Sequence, residues 1–134
     1  MTRASFRLMG RDGLTAEAVT SFLGVEPSDS FEAGERISKR ATTVREGSGW
    51  FLDSGDIEDG VELAKQFERV LVHLEPVEAR LWQLVERGYW ANWFCYVASS
   101  PLEHAVELDR PLLTRLLRLP GEVWLDVCGE PTGE

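Results

Sequence analysis

Residues 88–98 read Gly88-Tyr89-Trp90-Ala91-Asn92-Trp93-Phe94-Cys95-Tyr96-Val97-Ala98, and how this run folds decides the architecture. Aromatic and β-branched side chains fit a pleated surface, and the run is short and bounded by Gly88, so it reads as an interior strand. A strand has two faces. Ala91, Trp93, Cys95 and Val97 point one way, and Trp90, Asn92, Phe94, Tyr96 and Ala98 point the other. Neither face is polar, so both call for cover. A two-layer domain covers one face with its own helices, and the occupant of the other bears on function. Which parity meets the helices is left open by the sequence.

Working outward, residues 4–9 alternate as a strand. Thr15 then stands as an N-cap, Ala18, Val19, Phe22 and Leu23 form a helical stripe, and Gly24 takes the C′ position. Residues 28–49 hold several glycines and little apolar periodicity, which predicts an irregular insertion or hairpin with a strand near Thr42-Thr43-Val44. Trp50–Ser54 reads as a further strand, followed by an acidic turn at 56–60. Leu63, Ala64, Phe67, Val70, Leu71 and Leu74 recur at helical spacing. Pro76 interrupts the stripe and suits the first turn of a second helix. Beyond the aromatic strand, Asp109 caps a helix with Pro111 in its first turn, and 122–128 closes the chain as a strand. The tail 129–134 is polar and expected to fray.

Helices separating single strands suit a parallel doubly wound sheet as well. The irregular insertion favours an α+β fold instead: one two-layer domain over 1–134, with about four strands in a mixed or antiparallel sheet. Its helices lie mainly on one face, in the manner of ferredoxin-like folds.

Composition narrows the function. The formal net charge is -9, which disfavours phosphate backbones and anionic membranes. No apolar run approaches the ~20 residues of a membrane span, and no signal core follows Met1, so a cytoplasmic address is expected. Cys95 and Cys128 lie in apolar strands without metal-ligand spacing and read as buried reduced thiols. His73 and His104 stand apart, and nucleophile elbow, metal-binding helix and phosphate loop are all missing from the sequence. No catalytic residue, metal or cofactor is therefore expected, and the reading leans away from an enzyme. The acidic set Asp53, Asp56, Glu58, Asp59 and Glu62 lacks calcium-loop spacing and reads as a solvated turn.

Several short signatures recur in order: Phe22-Leu23-Gly24-Val25-Glu26-Pro27, Gly34-Glu35-Arg36 in a basic loop, and Gly49-Trp50-Phe51-Leu52-Asp53-Ser54. Glu86-Arg87-Gly88-Tyr89 and a closing strand ending at Gly129 follow. In this order they resemble the bacterial family known as domain of unknown function 4279, over nearly the whole chain. The resemblance implies a compact bacterial domain and supplies no reaction, ligand or catalytic residue.

Two sets of residues are candidates for contact with other molecules. Trp90, Asn92, Phe94 and Tyr96 form a candidate interface or ligand face, because Trp and Tyr are common interface anchors. Arg36, Lys39, Arg40 and Arg45 concentrate positive charge and form a candidate anion- or partner-binding loop. Aromatics for base stacking are missing there, so nucleic acid is not expected. The leading expectation is a non-enzymatic interaction module, homodimeric through the aromatic sheet face. Neutralising a basic toxin is one concrete form for a small acidic domain. The alternative is a ligand-binding domain or enzyme, with a pocket floored by Trp90, Asn92 and Phe94 and closed by the Arg36–Arg45 loop.

Overall fold

Alternation in the first strand already separates two sides of the sheet, with Ala4, Phe6 and Leu8 buried between Arg3, Ser5, Arg7 and Met9. The computed structural model describes residues 2–55, 62–99 and 106–129, without the side chains of 98, 99, 128 and 129. The acidic turn 56–60, His104 and the tail from 130 lie outside the described residues. The strands are β1 (Arg3–Gly10), β2 (Asp29–Phe31), β3 (Ser48–Asp53), β4 (Trp90–Ser99) and β5 (Glu122–Gly129). The helices are α1 (Ala16–Leu23), α2 (Leu63–Leu74), α3 (Glu78–Glu86) and α4 (Arg110–Arg118), with a 3₁₀ turn at Glu75–Val77 between α2 and α3.

The five strands run in the order β2-β3-β1-β4-β5. All neighbours are antiparallel except β4 and β5. The first four strands with α1 and α2–α3 make the ββ-split arrangement of ferredoxin-like folds. The helical crossover α4 then adds β5 parallel to β4, as a parallel pair requires. The strand beyond the expected four is β2, whose three residues are too few to show alternation. The expected strand near Thr42–Val44 is only a bridge between Arg36 and Val44.

Burial settles the parity of β4. Ala91, Trp93, Cys95 and Val97 face the helices, and Trp93 is 0% exposed. Trp93 packs against Phe6 and Phe67 at centroid distances of 5.2 and 5.0 Å, in the T-shaped geometry aromatic pairs prefer. Trp50 is equally buried, and its indole N–H donates to Thr20 Oγ1 at 3.0 Å, tying β3 to α1. At the end of β3 the Ser54 hydroxyl donates to Gln66 Oε1 on α2 at 3.0 Å, and the Ser54 backbone N–H donates to Ala4 O. That contact seals a buried polar corner of the core.

The helix ends follow their local chemistry. Thr15 Oγ1 accepts from Ala18 N–H at 3.1 Å, and Gly24 closes α1 in the left-handed conformation at φ 70°. Glu32, from the segment after β2, adds a remote cap: its carboxylate accepts from Ala16 and Glu17 N–H at 2.8 and 2.9 Å. Pro76 sits in the 3₁₀ turn where the α2 stripe breaks. Asp109 caps α4 by accepting from Leu112 N–H. Arg115 of α4 grips Glu75 with Nε and Nη2 at 3.0 and 2.6 Å and reaches Glu68 at 2.6 Å. This fork fastens α4 beside α2.

Candidate functional site

All four helices pack on the Trp93 side, so the opposite side of the sheet is open among the described residues. Cross-strand register sets Phe51, Arg7, Asn92 and Glu122 in one row across it, and Asp53, Ser5, Phe94 and Trp124 in the next. The expectation that both faces of β4 are apolar and need outside cover is thereby revised, because β1 supplies part of the cover itself. The Arg7 guanidinium lies 4.2 Å from the Phe94 ring centroid and 5.5 Å from that of Phe51, a cation–π sandwich that shields both rings. Desolvation lowers the Arg7 pKa, and the nearby Asp53 carboxylate partly opposes that shift. Asn92 is only 2% exposed, and neither its Oδ1 nor Arg7 Nε has a hydrogen-bond partner among the described residues.

The four candidate face residues share this open side but differ in setting. Asn92 is buried, Phe94 lies under Arg7, Tyr96 is half-buried, and Trp90 is 50% exposed at the far end of the strand. A shallow groove of about 300 Å³ runs past Arg3, Arg7, Phe51, Phe94 and Tyr96. Trp90 instead belongs to a larger cleft of about 840 Å³. That cleft lies between the end of β1, the start of β4 and the hairpin leading from β2 to β3. The hairpin is laddered by Gly34 N–H to Arg45 O, Arg45 N–H to Glu35 O and Ile37 N–H to Thr43 O. Its base is tight, since a Cβ on Gly47 would meet the Gly10 carbonyl oxygen at 2.3 Å.

Of the basic-loop candidates, Arg45 lines the cleft, with its guanidinium stacked 4.1 Å from the Phe31 centroid. Arg36, Lys39 and Arg40 are exposed on the hairpin and do not line it. Asn92 and Phe94 do not line it either: Trp90 lines the cleft, Phe94 the shallow groove, and Asn92 neither, so the three do not floor one pocket. Sequence reasoning passed over Arg7, Met9, Phe31, Ile37 and Val44. The alternation of β1 carried a signal for Arg7 and Met9. Ile37 and Val44 lie in irregular sequence where no periodicity marks them.

Titratable groups add little chemistry. Burial pushes the Cys95 thiol up to about 12, far from a reactive thiolate. His73 is exposed near the end of α2. Burial raises the Tyr89 pKa, while its hydroxyl donates to Thr15 O at 2.6 Å as a structural tie. Among the described residues no three His, Cys, Asp or Glu side chains come together as a metal site. No described helix is long and apolar enough to cross a membrane.

The other end of the sheet is different in kind. β5 is an edge strand among the described residues, and the helix layer stops short of it. Val123, Leu125 and Val127 on the helix side are 40%, 45% and 59% exposed, and Trp124 on the open side is 50% exposed. The crossover helix α4 leading into β5 also exposes Leu113 and Leu117.

Fold and surfaces together define an α+β domain of ferredoxin-like order, with one sheet face free of helices and one edge strand, β5, left uncovered among the described residues. The chain belongs to the family described as Domain of unknown function (DUF4279), whose model matches residues 1–129, from β1 to the end of β5. Comparison with curated proteins and with solved structures returned no match.

Proposed function

We propose that the chain is a non-enzymatic interaction module that self-associates by pairing β5 of one copy with β5 of a second. The observation carrying this reading is the β5 edge: eight residues long, with bulky apolar side chains exposed on both of its sides. Such an edge is a template for strand addition, and soluble proteins ordinarily blunt it with Lys, Pro or a short strand. The opposite edge, β2, is blunted by its shortness, with only three residues. β5 has neither Lys nor Pro, and its charges are Glu122 and Asp126.

Charge narrows the register in which a second copy can pair. A twofold axis normal to the sheet pairs residues of the same parity antiparallel. Centred on Trp124 it would set Glu122 against Asp126, and centred on Asp126 it would set two Asp126 carboxylates together. Like charges directly opposite each other are destabilising. Centred on Leu125, the pairs are Leu125 with itself, Val123 with Val127, and Trp124 with Asp126, so every acid is kept from another acid. The Leu125-centred pairing also joins the exposed apolar side chains above the helix side of the sheet.

Sedimentation velocity of the full chain tests this, with Leu125→Lys as the edge-blocking variant. The expected result is a dimer of wild type at high micromolar concentration and a monomer of the variant with unchanged circular dichroism. A monomeric wild type would overturn self-association. Binding of a basic protein to that monomer through β5 would then favour the toxin-neutralising form of the module.

A further inference from the structure

The cleft between the β2–β3 hairpin and the ends of β1 and β4 plays no part in β5 pairing, and its walls have a chemistry of their own. We infer that it is a binding site for a small, flat apolar molecule bearing one carboxylate or similar acid group. Its volume of about 840 Å³ lies in the range of small-molecule sites. Its apolar walls come from Met9, Phe31, Ile37, Val44 and Trp90. Three of these, Ile37, Val44 and Trp90, are large side chains left about half exposed in one place although the core is close by. Trp90 stands at the end of the β4 row on the open face and offers a ring for stacking.

The acid group is read from Arg45. Its guanidinium plane is held against the Phe31 ring, and it makes no ion pair among the described residues. A stacked guanidinium keeps its N–H edge free in a fixed orientation, the arrangement that recognises a carboxylate in forked geometry. Arg11, Asp12 and Glu46 also line the cleft, with charges of both signs. Together with Arg45 they sum to zero net charge, so the cleft has little long-range field and selection falls to the fixed Arg45. The Gly47 backbone packed against Gly10 O fixes the hairpin base, which holds the two walls at a set separation.

The test uses 2-naphthoate and its neutral amide as probes of the full chain, followed by calorimetry and by the indole N–H resonances in heteronuclear NMR. Naphthoate is expected to bind saturably with one site per chain and to move the Trp90 resonance. The amide is expected to bind about fivefold more weakly, as loss of a charge-assisted pair implies. Arg45→Gln should lower naphthoate to the level of the amide and leave the amide unchanged. Val44→Asp should weaken both about tenfold by placing a carboxylate in an apolar wall. Leu125→Lys, remote from the cleft, should leave both affinities alone, which keeps this inference separate from self-association. No saturation at millimolar naphthoate would overturn it, as would equal naphthoate affinity in wild type and Arg45→Gln, or an unmoved Trp90 resonance.

Discussion

Arg7 shows how one side chain alters the meaning of a whole strand. Read along the chain, Phe94 belongs to an aromatic stripe waiting for a partner; read across the sheet, it is the platform for a guanidinium from β1. Cross-strand neighbours are set by register, which a single strand does not encode, and that is why the stripe was legible and its cover was not. Cys95 was legible for the opposite reason, since an apolar strand predicts a buried thiol. With its pKa pushed up to about 12, Cys95 should resist iodoacetamide in the native state at about pH 8, where an ordinary exposed thiol is partly ionised. Peptide mapping by mass spectrometry should find Cys95 labelled only after denaturation; rapid native labelling would refute the burial described. Gly47 lies in the insertion, where the sequence offered glycines without purpose. Its absent Cβ leaves room for the Gly10 carbonyl, so Gly47→Ala should cost about 1–3 kcal/mol by overpacking. Urea unfolding measures this, and an unchanged midpoint would show that the hairpin base is loose.

Elements whose signals are local were readable one at a time: the Thr15 and Asp109 caps, the Gly24 stop and the break at Pro76. Glu32 was not, because it caps α1 from sixteen residues away in sequence. Glu32→Ala removes the acceptor for two orphan N–H groups and should destabilise the chain by about 1 kcal/mol. A melting temperature lower by several degrees would be seen by calorimetry; an unchanged one would detach the hairpin from α1. The α4–α2 fork is a second long-range contact beyond sequence reading. Its hydrogen bonds from Arg115 hold the Glu75 carboxyl below its ordinary value. A depressed carboxylate stabilises the fold above the unfolded pKa of about 4.3, and the gain fades as pH falls through the lower folded value. Both acids are substantially exposed, so Arg115→Ala should cost at most about 1 kcal/mol at neutral pH. Wild type and variant should converge in acid, measured as stability against pH, whereas a constant difference down to the acid limb would assign the loss to packing. β2 escaped notice because three residues carry no period, while β5 was plain from its alternation.

At the scale of the whole molecule, the α+β class and helices on one face were written in the order of strands and helices. The candidate site was legible only in outline: Trp90 and Arg45 both line the cleft, whereas Phe94 lies under Arg7 and Asn92 is buried beside it in the sheet. The strongest unmet surface lies elsewhere, at β5, because the helix layer is narrower than the sheet it covers. Layer widths follow from packing and cannot be counted along the chain. An exposed apolar edge in an acidic protein of net charge -9 asks for a partner whose acids do not meet its own, and the Leu125-centred twofold meets that condition. Cross-linking reads the association and its register in one measurement. In a Cys95→Ala, Cys128→Ser background, which removes the thiol beside position 125 on β4, Leu125→Cys should close under mild oxidation to a covalent dimer of twice 15.1 kDa, because facing residues of an antiparallel pair approach to about 4.5–5.5 Å. Val123→Cys in the same background should stay monomeric, since its facing residue is Val127. Absence of a covalent dimer at 125, or equal cross-linking at 123, would contradict pairing through β5.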